Sequence, residues 1–177
     1  GFENINNTIK SLGFNNTSLI AKRLDFDVYN SIGKTTAYEF ASVFRKILKK
    51  EILSPNLCDE IIAILSCQTK NEMLIKDLPK KYLYEKGNKE ADIRYIASKS
   101  GGLGSDNKNI ITCRNDGGIV CTKLGTYIIS IFINNFADFY FYSDNPATIL
   151  GAKISSLLFE NFEENDGKFK FWNKKDK

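Results

Sequence analysis

Histidine is absent from all 177 residues of the chain. That absence removes the commonest metal ligand and any pairing of a nucleophile with an imidazole inside the chain. Cysteine is sparse and poorly spaced for metal: Cys58, Cys67, Cys113 and Cys121 contain no C-x-x-C pair, so no metal site is expected. The four read as buried free thiols, with a Cys113–Cys121 pairing across adjacent strand segments as the alternative. No apolar run approaches the roughly 18 residues of a membrane-crossing helix, and the longest, Tyr127 to Ile133, reads as a buried strand. Methionine occurs once, at Met73, and Gly1 already lies inside an amphipathic pattern, so the natural start is expected upstream.

What is present describes an ordinary globular domain. At 42% hydrophobic and 26% charged residues the chain has enough apolar material for one sizeable core and too much for disorder. The net charge of +4 is spread among alternating signs rather than gathered in a stripe. It reads as a solvated surface, with no nucleic-acid partner expected.

Hydrophobic spacing divides the chain in two. Phe2, Ile5, Ile9 and Leu12 recur at helical period before the stop at Gly13, and the stretch from Asn15 to Lys34 reads as a loop or broken helix. Thr36 and Glu39 fit a capping box ahead of a helix with Phe40, Val43, Phe44, Ile47 and Leu48 on one face. Ser54-Pro55 supplies a cap and an N1 proline for another helix, with Leu57, Ile61, Ile64 and Leu65 as its face. Leu74 to Pro79 is irregular and Lys80 to Glu90 polar; strands then take over at Ile93–Ser100, Gly118–Thr122 and Thr126–Asn134, the last two a hairpin through Lys123–Gly125. Asn145-Pro146 opens a final helix with Ile149, Leu150, Ile154, Leu157 and Leu158 as its apolar face, and Lys168 to Trp172 could add an edge strand or fray. The expectation is an α+β fold: a helical segment, then an antiparallel sheet with the C-terminal helix packed on it.

Chemistry concentrates in Lys99-Ser100-Gly101-Gly102. A lysine on a strand beside a cleft gives positive potential for a carboxylate, the adjacent hydroxyl can donate to it, and glycine allows close approach. This triplet, followed by the Arg114–Val120 strand with its Asn-Asp-Gly-Gly core, a further strand and a Pro-initiated helix, and preceded by Leu78-Pro79, resembles the C-terminal portion of class A serine β-lactamases, of the penicillin-recognising serine hydrolases. Thr35-Thr36-Ala37 resembles the segment after that family's omega loop.

The resemblance implies a partial β-lactamase-like domain over residues 1–162, helical over 1–79 and sheet plus helix over 91–162, with a polar tail at 163–177. It implies hydrolysis of β-lactam amides through an acyl-serine, a β-lactam or peptidoglycan-like substrate, no cofactor and an extracytoplasmic location. Lys99, Ser100 and Gly101 would bind substrate, and the Gly102 backbone N–H would form half the oxyanion hole. The family's strand arginine is replaced by Gly117, leaving Arg114 as a nearby substitute. No glutamate occurs in the omega-loop stretch Arg23–Asn30, where Asp25 or Asp27 would have to serve as deacylation base, Asp25 also fitting a structural Arg-Leu-Asp pattern.

The nucleophile is missing. The family's S-x-x-K and S-D-N segments should both precede the triplet; S-x-x-K should lie upstream of Gly1. Ser31 with Lys34 and Ser105 with Lys108 imitate the first, and Ser105–Asn107 and Ser143–Asn145 imitate the second after the triplet instead of before it. Gly33-Lys34-Thr35 resembles the end of a phosphate loop, but Val28 stands where that loop needs glycine. The alternative to an enzyme is a catalytically silent penicillin-binding-like or interaction module.

Overall fold

A computed structural model describes residues 1–21, 32–70, 72–82, 95–104, 112–137, 140 and 142–170. Asp25, Asp27, Ser31 and Ser105 therefore lie outside the described residues. Helix α1 (Phe2–Ser11) leads to a short ribbon of β1 (Ser18–Leu19) and β2 (Gly33–Lys34), then α2 (Ala37–Leu48) and α3 (Pro55–Ser66). A turn-rich segment ends in a 3₁₀ turn at Lys80–Tyr82 before β3 (Tyr95–Leu103), β4 (Cys113–Cys121), β5 (Thr126–Asn134) and α4 (Pro146–Glu164). The expected α+β arrangement is present, with β3, β4 and β5 antiparallel in that order and β3 on one edge.

The sheet is covered on both faces. Directly paired residues of an antiparallel sheet project to the same face. Ile96, Val120 and Tyr127 meet the α4 side, where Met73, Leu74, Leu78, Tyr82, Phe159 and Phe162 complete the larger core. Ala97, Ile119 and Ile128 meet α2 and α3, where Phe44, Phe40, Ile62 and Leu65 close the smaller one. Tyr82, 2% exposed and edge-on to Phe159, is a core residue hidden in a lysine-rich stretch.

Several local expectations change. The stretch from Asn15 to Lys34 contains the β1–β2 bridge, too short to show a period. Thr36 caps α2 by accepting from the Glu39 N–H, but the reciprocal half of the box is replaced: the Glu39 carboxylate accepts from Asn16 N–H, the Asn16 amide and the Thr17 hydroxyl. Burial alone would raise the Glu39 pKa; the Thr17 and Asn16 bonds outweigh it and hold the carboxyl below its ordinary value. Pro55 starts α3, yet Ser54 makes no side-chain cap bond.

Of the five α4 residues that hydrophobicity nominated for burial, Ile149 and Leu158 are half-buried, Leu158 against the larger core, and the other three are not. Leu150, Ile154 and Leu157 are exposed, whereas Thr148, Gly151, Ala152, Ser155, Phe159 and Phe162 are buried. Small residues win because a Cβ at Gly151 would lie 2.3 Å from the Met73 Cε; close approach of the Met73–Leu74 segment requires that gap. Cys113 and Cys121 stand at opposite ends of β4, roughly 26 Å apart at about 3.3 Å per residue, so they cannot pair. Only Cys58 is buried; Cys67 is exposed and the other two half-buried. Residues 168–170 form no strand, although the Phe169 ring packs on Tyr127 and Phe162.

Gly118 tests the tightness of the sheet. A Cβ there would sit 2.4 Å from the Ala97 carbonyl oxygen and 2.8 Å from the Ser98 Cα, both backbone atoms that cannot swing away. Gly118→Ala should destabilise the fold by about 2 kcal/mol or more through strand displacement. A urea midpoint within error of wild type would contradict this packing.

Candidate functional site

The Lys-Ser-Gly triplet lies on β3, which continues through both glycines to Leu103 instead of turning at Gly101. Backbone pairing extends it: Lys99 faces Gly117, Ser100 faces Asp116, Gly101 faces Asn115 and Gly102 faces Arg114. Lys99, Gly101 and Gly102 are exposed and Ser100 is half-buried. The Lys99 ammonium folds back to donate to the Ser100 carbonyl, and nothing stands within 4 Å of where a Gly101 Cβ would be. The triplet thus borders open space, as a strand that receives a ligand must.

A cleft of about 300 Å³ opens along this strand. Lys99, Ser100, Gly101 and Gly102 form one wall; Gln68, Lys70, Glu72 and Met73, from the segment after α3, form another, and Arg114, Asn115 and Thr148 also line it. The cleft brings together the triplet, the Gly102 that follows it and Arg114. Arg114 is buried, however, and its guanidinium donates to the carbonyls of Leu103, Cys113 and Tyr140 at 3.3, 2.9 and 2.7 Å while stacking over Phe136. That geometry anchors the chain after β5 to the β3–β4 end. Asn115 Oδ1, on the same cleft, is buried without a hydrogen-bond partner among the described residues.

The residue that sequence reasoning passed over is Asp116. It sits 2% exposed within β4, and its two oxygens accept from the Leu74 and Gly117 N–H groups, each at 2.9 Å. The Leu74 carbonyl in turn accepts from the Ser155 hydroxyl of α4 at 2.7 Å. The backbone of one residue is therefore tied to the sheet through its N–H and to the helix through its C=O. Only the isolated carboxylate in the Asn-Asp-Gly-Gly-Ile-Val strand could have signalled this, because a charged side chain is seldom buried unless it has partners. Ser143–Asn145, one imitation of S-D-N, is also structural: Asn145 Oδ1 accepts from Ala147 and Thr148 N–H and caps α4.

No cluster among the described residues has three or more His, Cys, Asp or Glu side chains able to hold a metal, and no helix among them is long and apolar enough to cross a membrane. The fold is that of a class A β-lactamase in part, with the Lys-Ser-Gly strand at a sheet edge beside a cleft. The chain belongs to the β-lactamase enzyme family, which matches it over residues 1–162. Among solved structures it is similar to a class A β-lactamase representative from Bacteroides cellulosilyticus DSM 14838, with a TM-score of 0.69 and 23% identity over 93% of this chain and 55% of that one. The β-lactamase from Sphaerobacter thermophilus DSM 20745 gives a TM-score of 0.68 and 21% identity over 90% of this chain and 53% of that one. PBP-A gives 0.68 and 22% over 93% and 52%. The chain thus spans about half the length of these relatives, and at such identities they establish the fold. No curated protein sequence matches it.

Burial raises the Asp116 pKa from the ordinary 3.8 to about 6, against the opposing pull of the Leu74 and Gly117 N–H groups and of Lys99. The folded state then binds the Asp116 proton more tightly than the unfolded chain, so this group's stabilisation is greatest below about pH 4 and is lost as pH rises through about 6, by at most roughly 3 kcal/mol. Asp116→Asn should flatten that part of the pH–stability profile, and Asp116→Ala, which orphans two buried N–H groups, should cost about 2–4 kcal/mol at neutral pH. Urea midpoints from pH 4 to 7 that run parallel for wild type and Asp116→Asn would contradict the assignment.

Proposed function

We propose that this chain is the carboxylate-binding portion of a class A β-lactamase-like serine hydrolase, which opens β-lactam amides through an acyl-serine whose nucleophile lies upstream of Gly1. The observation that carries the reading is the exposed Lys99–Gly102 edge of β3 beside the cleft, within a domain of the β-lactamase family. In this reading a substrate pairs along β3 like an added strand, with its carboxylate against the Lys99 ammonium and Ser100 hydroxyl. The Gly102 N–H then donates to the developing oxyanion of the acylation step. The serine attacks the lactam carbonyl, the C–N bond breaks, and water later releases the acyl group. A β-lactam or a peptidoglycan-like peptide meets these requirements, and an extracytoplasmic location follows from either substrate.

One observation favours a second reading, a catalytically silent penicillin-binding-like or interaction module that keeps the fold but lacks the deacylation base. Arg23–Asn30, the stretch that resembles the omega loop, contains no glutamate, and a deacylation base would have to be Asp25 or Asp27. The two readings separate on deacylation: release of a bound labelled penicillin that Asp25→Asn or Asp27→Asn slows supports the hydrolase, and a stable adduct or none supports the module.

Two outcomes are expected. The 177-residue chain alone leaves a chromogenic cephalosporin intact, because it carries no in-order S-x-x-K; turnover abolished by Ser31→Ala or Ser105→Ala would promote one of the imitations. In the open reading frame that supplies the serine, Lys99→Ala should lower acylation efficiency by roughly 2–4 kcal/mol and Lys99→Arg should retain part of it, as expected for a charge-assisted contact in a partly desolvated cleft. Equal acylation by all three proteins would remove Lys99 from the site.

A further inference from the structure

Lys99 is the one exposed cation that β3 and β4 bring to this cleft: its partner across the ladder is Gly117, and the cation that β4 does carry there, Arg114, is buried. Arg114, the nearest arginine, directs its guanidinium to three backbone carbonyls. The remaining cation on the cleft is Lys70, exposed and carried by the segment that follows α3. Among the described residues no ion pair engages it; the two salt bridges found there join Arg45 to Glu51 and Lys50 to Asp59.

We propose that Lys70 is a second cation for the substrate carboxylate, supplying from the wall after α3 the exposed charge that β4, whose Arg114 is turned to backbone carbonyls, does not offer. This rests on the carboxylate-binding reading of the Lys99 strand and adds the residue that sets its charge selectivity. Position is what qualifies Lys70. Its segment is fixed four residues later, where the Leu74 backbone is tied to β4 by Asp116 and to α4 by Ser155, and Met73 fills the space over Gly151. A lysine close to such an anchor loses less freedom on binding than one on an untethered loop. Glu72 lines the same cleft and opposes a carboxylate, but it also borders the neighbouring depression formed by Tyr142, Ser143 and Asp144. Lys70, Lys99 and Arg114 against Glu72 leave the cleft lining net positive, and a partly enclosed site preserves that field better than open solvent does. The ligand class is therefore a small acyl-peptide or lactam with one free carboxylate, and its neutral amide or ester is discriminated against.

The test needs no nucleophile. The 177-residue chain is titrated with N-acetyl-D-alanyl-D-alanine and with its C-terminal amide, and the Gly101 and Gly102 amide signals are followed by NMR. The carboxylate form should bind more tightly than the amide, Lys70→Ala should weaken the carboxylate form about 5- to 10-fold while sparing the amide, and Lys70→Arg should stay within about twofold of wild type. Raising salt should narrow the gap between wild type and Lys70→Ala. Lys70→Ala binding the carboxylate as tightly as wild type, or losing both ligands equally, overturns the proposal. If Lys99→Ala abolishes binding and Lys70→Ala does not, Lys70 falls and the Lys99 site stands. Absence of carboxylate binding by wild type removes both.

Discussion

The backbone of Leu74 is the constraint on which the cleft depends. Its N–H is held by Asp116 from β4 and its C=O by Ser155 from α4, both side chains almost wholly shielded from water. Each bond contributes modestly in net terms, about 1 kcal/mol, but leaving either backbone group buried and unpaired would cost more than making the bond gains. An irregular segment between a helix and a sheet has no ladder of its own to satisfy such groups, so a side chain must do it. Asp116 and Ser155 convert a connecting segment into a cleft wall of defined position.

That arrangement also accounts for the small residues of α4. A helix bearing leucine at 151 or 155 could not approach the Met73–Leu74 segment, and the hydroxyl of Ser155 is useful only at hydrogen-bond range. Hydrophobicity and proximity therefore select different faces. Leu150, Ile154 and Leu157 form the more apolar stripe, yet the buried stripe is Thr148, Gly151, Ala152, Ser155, Phe159 and Phe162. With apolar residues around most of its circumference, α4 has no single dominant face for a period to identify.

This explains why the sequence disclosed the elements more readily than their contacts. Thr36 and Pro55 mark two helix starts, Asn145-Pro146 marks a third, and the β-branched runs at 119–120 and 126–133 mark the strands, because caps, prolines and alternation act locally. The strand expected to end at Ser100 continues through Gly101 and Gly102, whose pairing with Asn115 and Arg114 keeps β3 extended to Leu103, since ladder bonds require only the backbone. The triplet and the cleft around it were legible from residue order. Lys70 and Asp116 were not: a lysine on the segment after α3 comes to the cleft, and an aspartate on the neighbouring strand to Leu74, only through tertiary contact.

Division of labour along the chain follows from the same geometry. A strand edge bordered by glycine can accept a ligand backbone and offer cationic charge, but no group on it is activated to attack a carbonyl: the chain has no histidine, the Lys99 ammonium donates to the Ser100 carbonyl, and Asp116, across the ladder from Ser100, has both oxygens engaged by the Leu74 and Gly117 N–H groups. Recognition and nucleophilic attack therefore have to come from different stretches of chain brought against one cleft. An acylating serine must meet the substrate carbonyl from the side of the cleft opposite the strand edge that holds it. The carboxylate anchor can then persist as a binding surface after the chemistry has been lost, because the Lys99 edge and the Asp116–Leu74–Ser155 tie do not depend on a nucleophile for their own stability. A hydrolase and a silent binder would share this half of the site, and they diverge at the base and the serine.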